Sequence, residues 1–202
     1  MQRRPQTIAF WHNHLPHWEV EGGRYFMTIH LRGAIPQAGR ARIRSRVAEL
    51  AQVKLRQNQQ WLVRQRAIFR EMELWLDRAE WSAKLAIEDV AQMVQEAIVH
   101  RNQSGEWLCH AFAIMPTHLH LFVEFGSGQL KATTENFKRW TGKQAALILD
   151  DDSSTGLWQA DWFDHWSRSD AEDDRIVHYI RNNPVKAGLV KRAEDWPYNF
   201  PK

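Results

Sequence analysis

The sequence predicts an α+β fold built on an antiparallel sheet, and three observations carry that prediction. His118 to Phe125 alternates strictly, with Leu119, Leu121, Val123 and Phe125 on one side and His118, His120, Phe122 and Glu124 on the other, which is the period of a strand. A second strand-like run, Trp107 to Ile114, precedes it across the turn signal Pro116-Thr117, so the two read as an antiparallel hairpin. Long stretches rich in Arg, Gln, Leu, Ala and Glu flank this hairpin, with apolar residues at three-, four- and seven-residue spacings. The order is strand, long helices, hairpin, helix: a β-α-β-β-α pattern.

Taken from the start, residues 1–24 hold His12, His14 and His17 beside Trp11 and Trp18, broken by Pro16 and closed by Gly22-Gly23. Neither period is sustained, so an irregular N-terminal arm is expected, its histidines serving either a metal or surface contacts. Tyr25 to Leu31 alternates and forms the first strand. From about Arg40 to Ala79, Ile43, Val47, Leu50, Leu62, Phe69, Met72 and Leu76 mark one long helix or two in series. Ile87, Val90, Ala91, Val94, Ala97 and Ile98 mark the next, opened by Glu88-Asp89 and broken at Gln103-Ser-Gly105. After the hairpin, Lys131 to Leu149 is helical and ends in a polar acidic loop, Asp150 to Gly156. A last helix runs from Asp170 to about Asn182, with Ser169 or Asp170 as N-cap and Pro184 as its stop. A final strand beyond Gly188 has no evident pattern.

The bulk properties narrow the function. At 202 residues the chain suits a single domain over 1–202, with 1–24 as an arm and about 40–100 as a helical insertion or connection. No segment has the apolar length to cross a bilayer and no secretory apolar core follows Met1, so a soluble, cytoplasmic protein without a membrane partner is expected. Cys109 is the sole cysteine, which excludes an intrachain disulfide and a thiolate zinc site; its apolar run makes it a core residue. Net charge is only +3, yet from Arg40 to Arg66 eight basic residues (Arg40, Arg42, Arg44, Arg46, Lys54, Arg56, Arg64, Arg66) face one acid, Glu49, leaving +7. Such a run is either a phosphate-tracking surface or a solvated helix face. Of eleven tryptophans, several lie beside basic or polar residues; indoles there can stack on unpaired bases or anchor packing.

Two constellations could carry chemistry. His118 and His120 stand side by side on one sheet face, a geometry for a shared metal ion or for two satisfied half-buried histidines. Tyr179 and Asn183 lie one turn apart if the last helix holds. The phenol can be a nucleophile and the amide oxygen a hard ligand, or they can be a core aromatic and a helix ending.

Several motifs together resemble one family. Tyr25-Phe-Met-Thr-Ile29, Ile114-Met-Pro-Thr-His-Leu-His-Leu121, Asn136-Phe-Lys-Arg139, Leu157-Trp-Gln159 with Phe163-Asp-His165, Tyr179-Ile-Arg-Asn-Asn-Pro-Val-Lys-Ala-Gly-Leu189 and Asp195-Trp-Pro-Tyr198 occur in the order found in the REP-associated tyrosine transposases, single-tyrosine enzymes of the HUH superfamily. The resemblance runs from about residue 15 to 200, apart from Arg40–Ala86. It implies the HUH endonuclease fold: a ferredoxin-like antiparallel sheet with helices packed on one face, here with an elongated helical insertion. It further implies a metal-dependent single-stranded DNA endonuclease and transposase that cuts and rejoins DNA beside REP-type hairpins through a 5′-phosphotyrosine intermediate. Tyr179 matches the nucleophile, His118 and His120 the metal-binding pair, and Asn183 the third ligand of a Mg2+ or Mn2+ ion. Single-stranded or hairpin DNA with REP-like palindromes is the implied partner, with Arg40, Arg42, Arg44, Arg46, Lys138, Arg139 and Lys143 as candidate DNA contacts, in a monomer or homodimer at the bacterial nucleoid.

The chemistry agrees with that resemblance. A phosphotyrosine link conserves the energy of the phosphodiester, so rejoining needs no nucleotide cofactor, and the chain has no Gly-rich phosphate loop or Walker-type lysine. Two departures stand out: the stretch from Arg40 to Ala86 is longer than in short members, and Thr117 stands where an Asn often precedes the first histidine, which alters hydrogen bonding behind the ligand. The histidine-triad nucleotide hydrolases would need a third alternating histidine, where this chain has Phe122. The remaining alternative is a domesticated, non-catalytic DNA-hairpin-binding protein.

Overall fold

A computed structural model describes residues 2–53, 59–151 and 156–201. In chain order the elements are β1 (Thr7–His12), β2 (Pro16–Val20), β3 (Arg24–His30), α1 (Gln37–Ala51), α2 (Gln59–Leu76), α3 (Glu88–Gln103), β4 (Trp107–Ile114), β5 (His118–Phe125), α4 (Leu130–Leu149), β6 (Phe163–Trp166), α5 (Asp170–Lys186) and β7 (Asn199–Phe200). Lys54 and Arg56 of the basic run, and residues 152–155 of the acidic loop, lie outside the described residues.

The main sheet has the order β6-β3-β5-β4-β7 with every neighbouring pair antiparallel. Taking β3, α3, β4, β5, α4 and β6 in turn gives the βαββαβ path of a ferredoxin-like fold, with β7 added at one edge and α1–α2 inserted between β3 and α3. β5 lies at the centre because both its faces are apolar enough to bury: Leu119, Leu121 and Val123 are 0% exposed on one, and Phe122 only 1% on the other.

The helices cover both faces of this sheet, where one was expected. Phe137 of α4 meets Trp107 at 5.4 Å between centroids, Trp107 meets Phe125, and the Trp107 indole donates to the Ile98 carbonyl of α3. The ferredoxin helices α3 and α4 thus take the Leu119–Phe125 side. On the histidine side, Phe26 and Phe163 would stand in water if left bare; Phe69 of α2 packs on them at 5.2 Å each, and Tyr179 of α5 completes the layer. Burying each such ring contributes about 1.5–3 kcal/mol, so a second helical layer is the natural cover.

Other expectations change in detail. Residues 1–24 are no irregular arm: β1 and β2 form an antiparallel hairpin with Phe10 opposite Trp18 and Trp11 opposite His17. Pro16 opens β2, and all five residues of β2 are buried, which erases the alternation that would have marked it. The basic helical stretch is two helices. Gly39 lets them approach closely, since a Cβ there would stand 2.8 Å from Ile35 and 2.9 Å from the Trp75 ring. Ser169 caps α5 as expected, its hydroxyl accepting from the Glu172 amide, but Pro184 does not stop the helix. Proline costs only the one bond its missing N–H would make, and here it falls in the last turn; the chain turns out at Gly188, φ +72°. Asn183 therefore remains helical. The predicted Lys131–Leu149 helix and the β4–β5 hairpin stand as read from the sequence.

Candidate metal and tyrosine site

The site sits where β5, α2 and α5 meet. His118 and His120 bring their Nε2 atoms to 3.1 Å, at 1% and 0% exposure. Burial and the neighbouring His120 hold His118 down to about 3, and burial with Lys186 holds His120 down to about 3. Both rings are therefore neutral near pH 7 and can offer a lone pair. Thr117 selects the atom in His118. Its hydroxyl proton goes to the Leu76 carbonyl at 3.0 Å, so towards His118 Nδ1, at 2.8 Å, it accepts. His118 Nδ1 carries the hydrogen and Nε2 is bare. Thr117 thus supports the ring from behind and leaves Nε2 facing His120. Thr28 Oγ1 lies 2.9 Å from His120 Nδ1 and fixes that ring.

Tyr179 stands beside the pair, its ring 5.5 Å from that of His120. The hydroxyl donates to Glu73 Oε2 and accepts from Asn183 Nδ2 at 3.0 Å. Burial first, then the adjacent Glu73, push the phenol above its ordinary value, while burial raises Glu73 against the opposing pull of His118. Because the single phenolic proton goes to Glu73, the amide nitrogen of Asn183 must face the tyrosine, which leaves Asn183 Oδ1 buried without a partner. Glu73 Oε1 is likewise buried and without a hydrogen bond, 3.6 Å from His120 Nε2. Buried unsatisfied oxygens are costly, and Glu73 Oε1 beside a pair of imidazoles forms a donor set that fits a divalent cation, with Asn183 Oδ1 a second unpaired oxygen on the residue that holds Tyr179. Glu73, His118 and His120 offer ligand atoms all within 4.8 Å of one another, the one such cluster among the described residues.

The position of α5 is held from both ends. Arg3 pairs with Asp173 through both nitrogens, at 3.0 and 2.8 Å, and Arg24 of β3 reaches the same carboxylate at 2.6 Å. At the other end Asn199 donates to the Arg181 carbonyl at 2.8 Å, and Ile180 is fully buried.

The fold brings together four of the residues singled out in the sequence, His118, His120, Tyr179 and Asn183, and adds Glu73. Its signal was present but faint: it is a carboxylate on the inward stripe Phe69, Met72, Leu76, where a charge needs a reason. The candidate DNA contacts do not cluster with these four. Arg40 and Arg44 open onto a cavity of about 390 Å³ with His14, His30 and Gln159, and neither has an ion-pair partner among the described residues. Arg139 and Lys143 line an adjoining hollow that shares Gln159. Arg42 and Arg46 have acidic neighbours, Glu71 at 3.8 Å and Glu49 at 3.5 Å, as do Arg64 and Arg66, so the fold answers much of the +7 run with carboxylates. Lys138 is a correction. It is 9% exposed, its ammonium donates to the Ala160 carbonyl and lies 4.9 Å over the Trp162 ring, and burial lowers it to about 8. It clasps the loop before β6, so although it borders the hollow of Arg139 and Lys143 its ammonium is already engaged.

His12, His14 and His17 form no candidate metal cluster among the described residues. His17 is fully buried between Asp161, at 2.8 Å, and Asp164, stacked on Trp11, whereas His14 is exposed. Trp18 and Trp158 are packing anchors; Trp140 is 43% exposed beneath Arg101. Cys109 is half-buried, its thiol pushed up to about 12 by burial. No described helix is long and apolar enough to cross a membrane.

No family model matches the sequence. The chain is 26% identical over 110 residues to a REP-associated tyrosine transposase of Escherichia coli K12, covering 54% of this chain and 62% of that protein. It is 28% identical over 98 residues to a protein assigned to the same family in Haemophilus influenzae, covering 44% and 56% respectively. The chain thus spans less than two thirds of the length of both relatives. A solved structure of a REP-associated tyrosine transposase bound to a REP hairpin shares the fold, with a TM-score of 0.55 at 20% identity over 91% of this chain and 79% of that one.

Proposed function

We propose that this chain, a relative of the REP-associated tyrosine transposases by sequence and fold, is a metal-dependent single-strand DNA transesterase acting beside hairpins, with Tyr179 as nucleophile. One observation carries the reading: a phenol, a proton acceptor and a neutral imidazole pair meet in one buried pocket, with two oxygen atoms left without partners.

The steps follow from the contacts. Tyr179 Oη attacks the scissile phosphorus and a bond forms between them; the bond from phosphorus to the 3′-oxygen breaks, and that oxygen leaves and takes up a proton. The phenolic proton passes to Glu73, the group it already faces. Asn183 holds the hydroxyl from the other side and keeps its lone pairs oriented. His118, His120, Glu73 and Asn183 Oδ1 are the residues that would hold a Mg2+ or Mn2+ ion. When bound, such an ion neutralises charge developing on the phosphate and favours the phenolate. The reverse attack by a free 3′-hydroxyl rejoins strands without a nucleotide cofactor. Arg40, Arg44, Arg139 and Lys143 supply phosphate contacts for the hairpin on the surface around Gln159.

Covalent capture tests the reading. Incubated with Mn2+ and a labelled single strand carrying the palindrome repeated beside its gene, the protein should form an adduct that resists denaturant, and Tyr179→Phe should not. An equal yield from Tyr179→Phe sinks the mechanism. Hairpin binding with no adduct from either protein favours the domesticated DNA-binding alternative.

A further inference from the structure

Tyr179 also forms one wall of a cleft of about 500 Å³ between α2 and α5 that the mechanism above leaves unused. Its floor is aromatic: Phe26, Phe69 and Phe163 pack with centroids 5.2 to 6.4 Å apart, and Phe26 and Phe69 meet the Tyr179 ring at 5.8 and 5.7 Å. Its rim is cationic. Arg66 and Arg70 lie one turn apart on α2, and Arg175 lies one turn before Tyr179 on α5. Arg66 has one acid within 4 Å, Glu172 at 3.8 Å, while Arg70 and Arg175 have none among the described residues. The cleft's polar groups are committed elsewhere. Gln65 donates to the Asp164 carbonyl at 2.9 Å and meets His165 Nδ1 at 2.9 Å, and His165 Nε2 meets Glu172 at 3.1 Å.

We propose that this cleft seats one nucleotide of the cleaved strand next to the scissile phosphate, its base against Phe69 and Phe163 and its outer phosphate between Arg70 and Arg175. The inference rests on the strand-transfer reading for the identity of the strand. An aromatic floor accepts the π-face of any base, and guanidinium groups take phosphate oxygens by paired hydrogen bonds. Gln65, His165 and Glu172 are already engaged and Arg66 lies beside Glu172, so the aromatic floor dominates and the seat is base-tolerant. The inserted helix α2, absent from the motifs shared with the family, thereby supplies both the proton acceptor and half of a substrate pocket.

The test uses the full chain carrying Tyr179→Phe, which keeps the ring and prevents covalent trapping. The probes are fluorescent oligo-dT of about eight nucleotides and an abasic strand of the same length and charge. Oligo-dT should bind about tenfold tighter than the abasic strand, oligo-dA and oligo-dC should match oligo-dT within about threefold, and 2-aminopurine in the strand should be quenched on binding. Arg70→Glu with Arg175→Glu should weaken oligo-dT about tenfold or more, whereas Arg42→Glu with Arg46→Glu should not. Equal affinity for oligo-dT and the abasic strand overturns the seat, as does indifference to the Arg70 and Arg175 reversal. Equal affinities together with an adduct from the wild-type protein overturn the seat and leave strand transfer standing. Tighter binding of oligo-dT than of the abasic strand that the reversal abolishes, with no wild-type adduct, supports a nucleotide seat here and overturns strand transfer.

Discussion

Glu73→Gln separates chemistry from packing at the candidate site. Glu73 is 5% exposed, accepts the Tyr179 hydroxyl's hydrogen bond through Oε2, and turns its other oxygen towards His120 at 3.6 Å. Glutamine has nearly the same shape and can still accept from the phenol, but it cannot take the proton and carries no charge. A phenol with a reference pKa near 10 is ionised to roughly one part in three hundred at about pH 7.5, and burial here lowers that fraction further. The acceptor must therefore supply the usual contribution of a positioned base, about 10²- to 10⁴-fold, or roughly 3–5 kcal/mol in activation free energy. Single-turnover adduct formation at saturating DNA and Mn2+ should slow by that factor. Folding stability should move by no more than about 1 kcal/mol, because the substitution removes a buried acid and preserves its volume. Mn2+ affinity, read by titration in the absence of DNA, gives an independent measure of whether Oε1 is a ligand: a loss of about tenfold or more says that it is. A variant with wild-type adduct rate and wild-type Mn2+ affinity would refute the reasoning and reduce Glu73 to a roof over the histidines.

Four further outcomes are expected. Mn2+ should raise the thermal midpoint of the wild type, by about 2.7 kcal/mol of stability at a hundredfold excess over Kd, and His118→Ala should show no such rise and form no adduct. His17 is buried. Burial alone would lower it, but the charge of Asp164 and the hydrogen bonds to Asp161 and Asp164 raise it from 6.5 to about 9, corresponding to roughly 3 kcal/mol. A raised folded-state value stabilises fully below about pH 6.5 and is lost as pH climbs through about 9, so the urea-midpoint gap between wild type and His17→Gln should narrow over that window; a flat gap contradicts a charged His17. Arg40→Glu with Arg44→Glu should weaken hairpin binding and lower its salt slope by about 0.7–0.9 per lost phosphate contact, while Arg42→Glu with Arg46→Glu, whose partners are Glu71 and Glu49, should do less. Gly39→Ala should destabilise by about 1–3 kcal/mol despite alanine's better helix propensity, because the added methyl meets Ile35 and Trp75; a stabilised variant in urea unfolding would show that α1 can shift away.

Local pattern was a good guide wherever one period dominated a segment. The β4–β5 hairpin, the helix opened by Glu88-Asp89, the cap at Ser169 and the joint placement of Tyr179 and Asn183 all follow from neighbours within a few residues. It was a poor guide where burial on both sides removed the alternation, as in β2, and where a breaker's effect depends on position, as at Pro184. The charge run shows the same limit. Arg42, Arg46, Arg64 and Arg66 look like an open cationic face in one dimension, and their acids come from Glu71, Glu49 and Glu172.

By itself the sequence determined that His118 and His120 share a strand face and that Tyr179 and Asn183 share a helix face, because periods of two and 3.6 are set by backbone geometry alone. Only the tertiary structure decided that α2 lies over those histidines, that Glu73 accepts the tyrosine's hydrogen bond and faces the ring pair, and that the Lys138 ammonium is engaged inside the fold. Those contacts join residues 22 to 106 positions apart, and such pairings depend on which apolar faces are left uncovered once the sheet has formed.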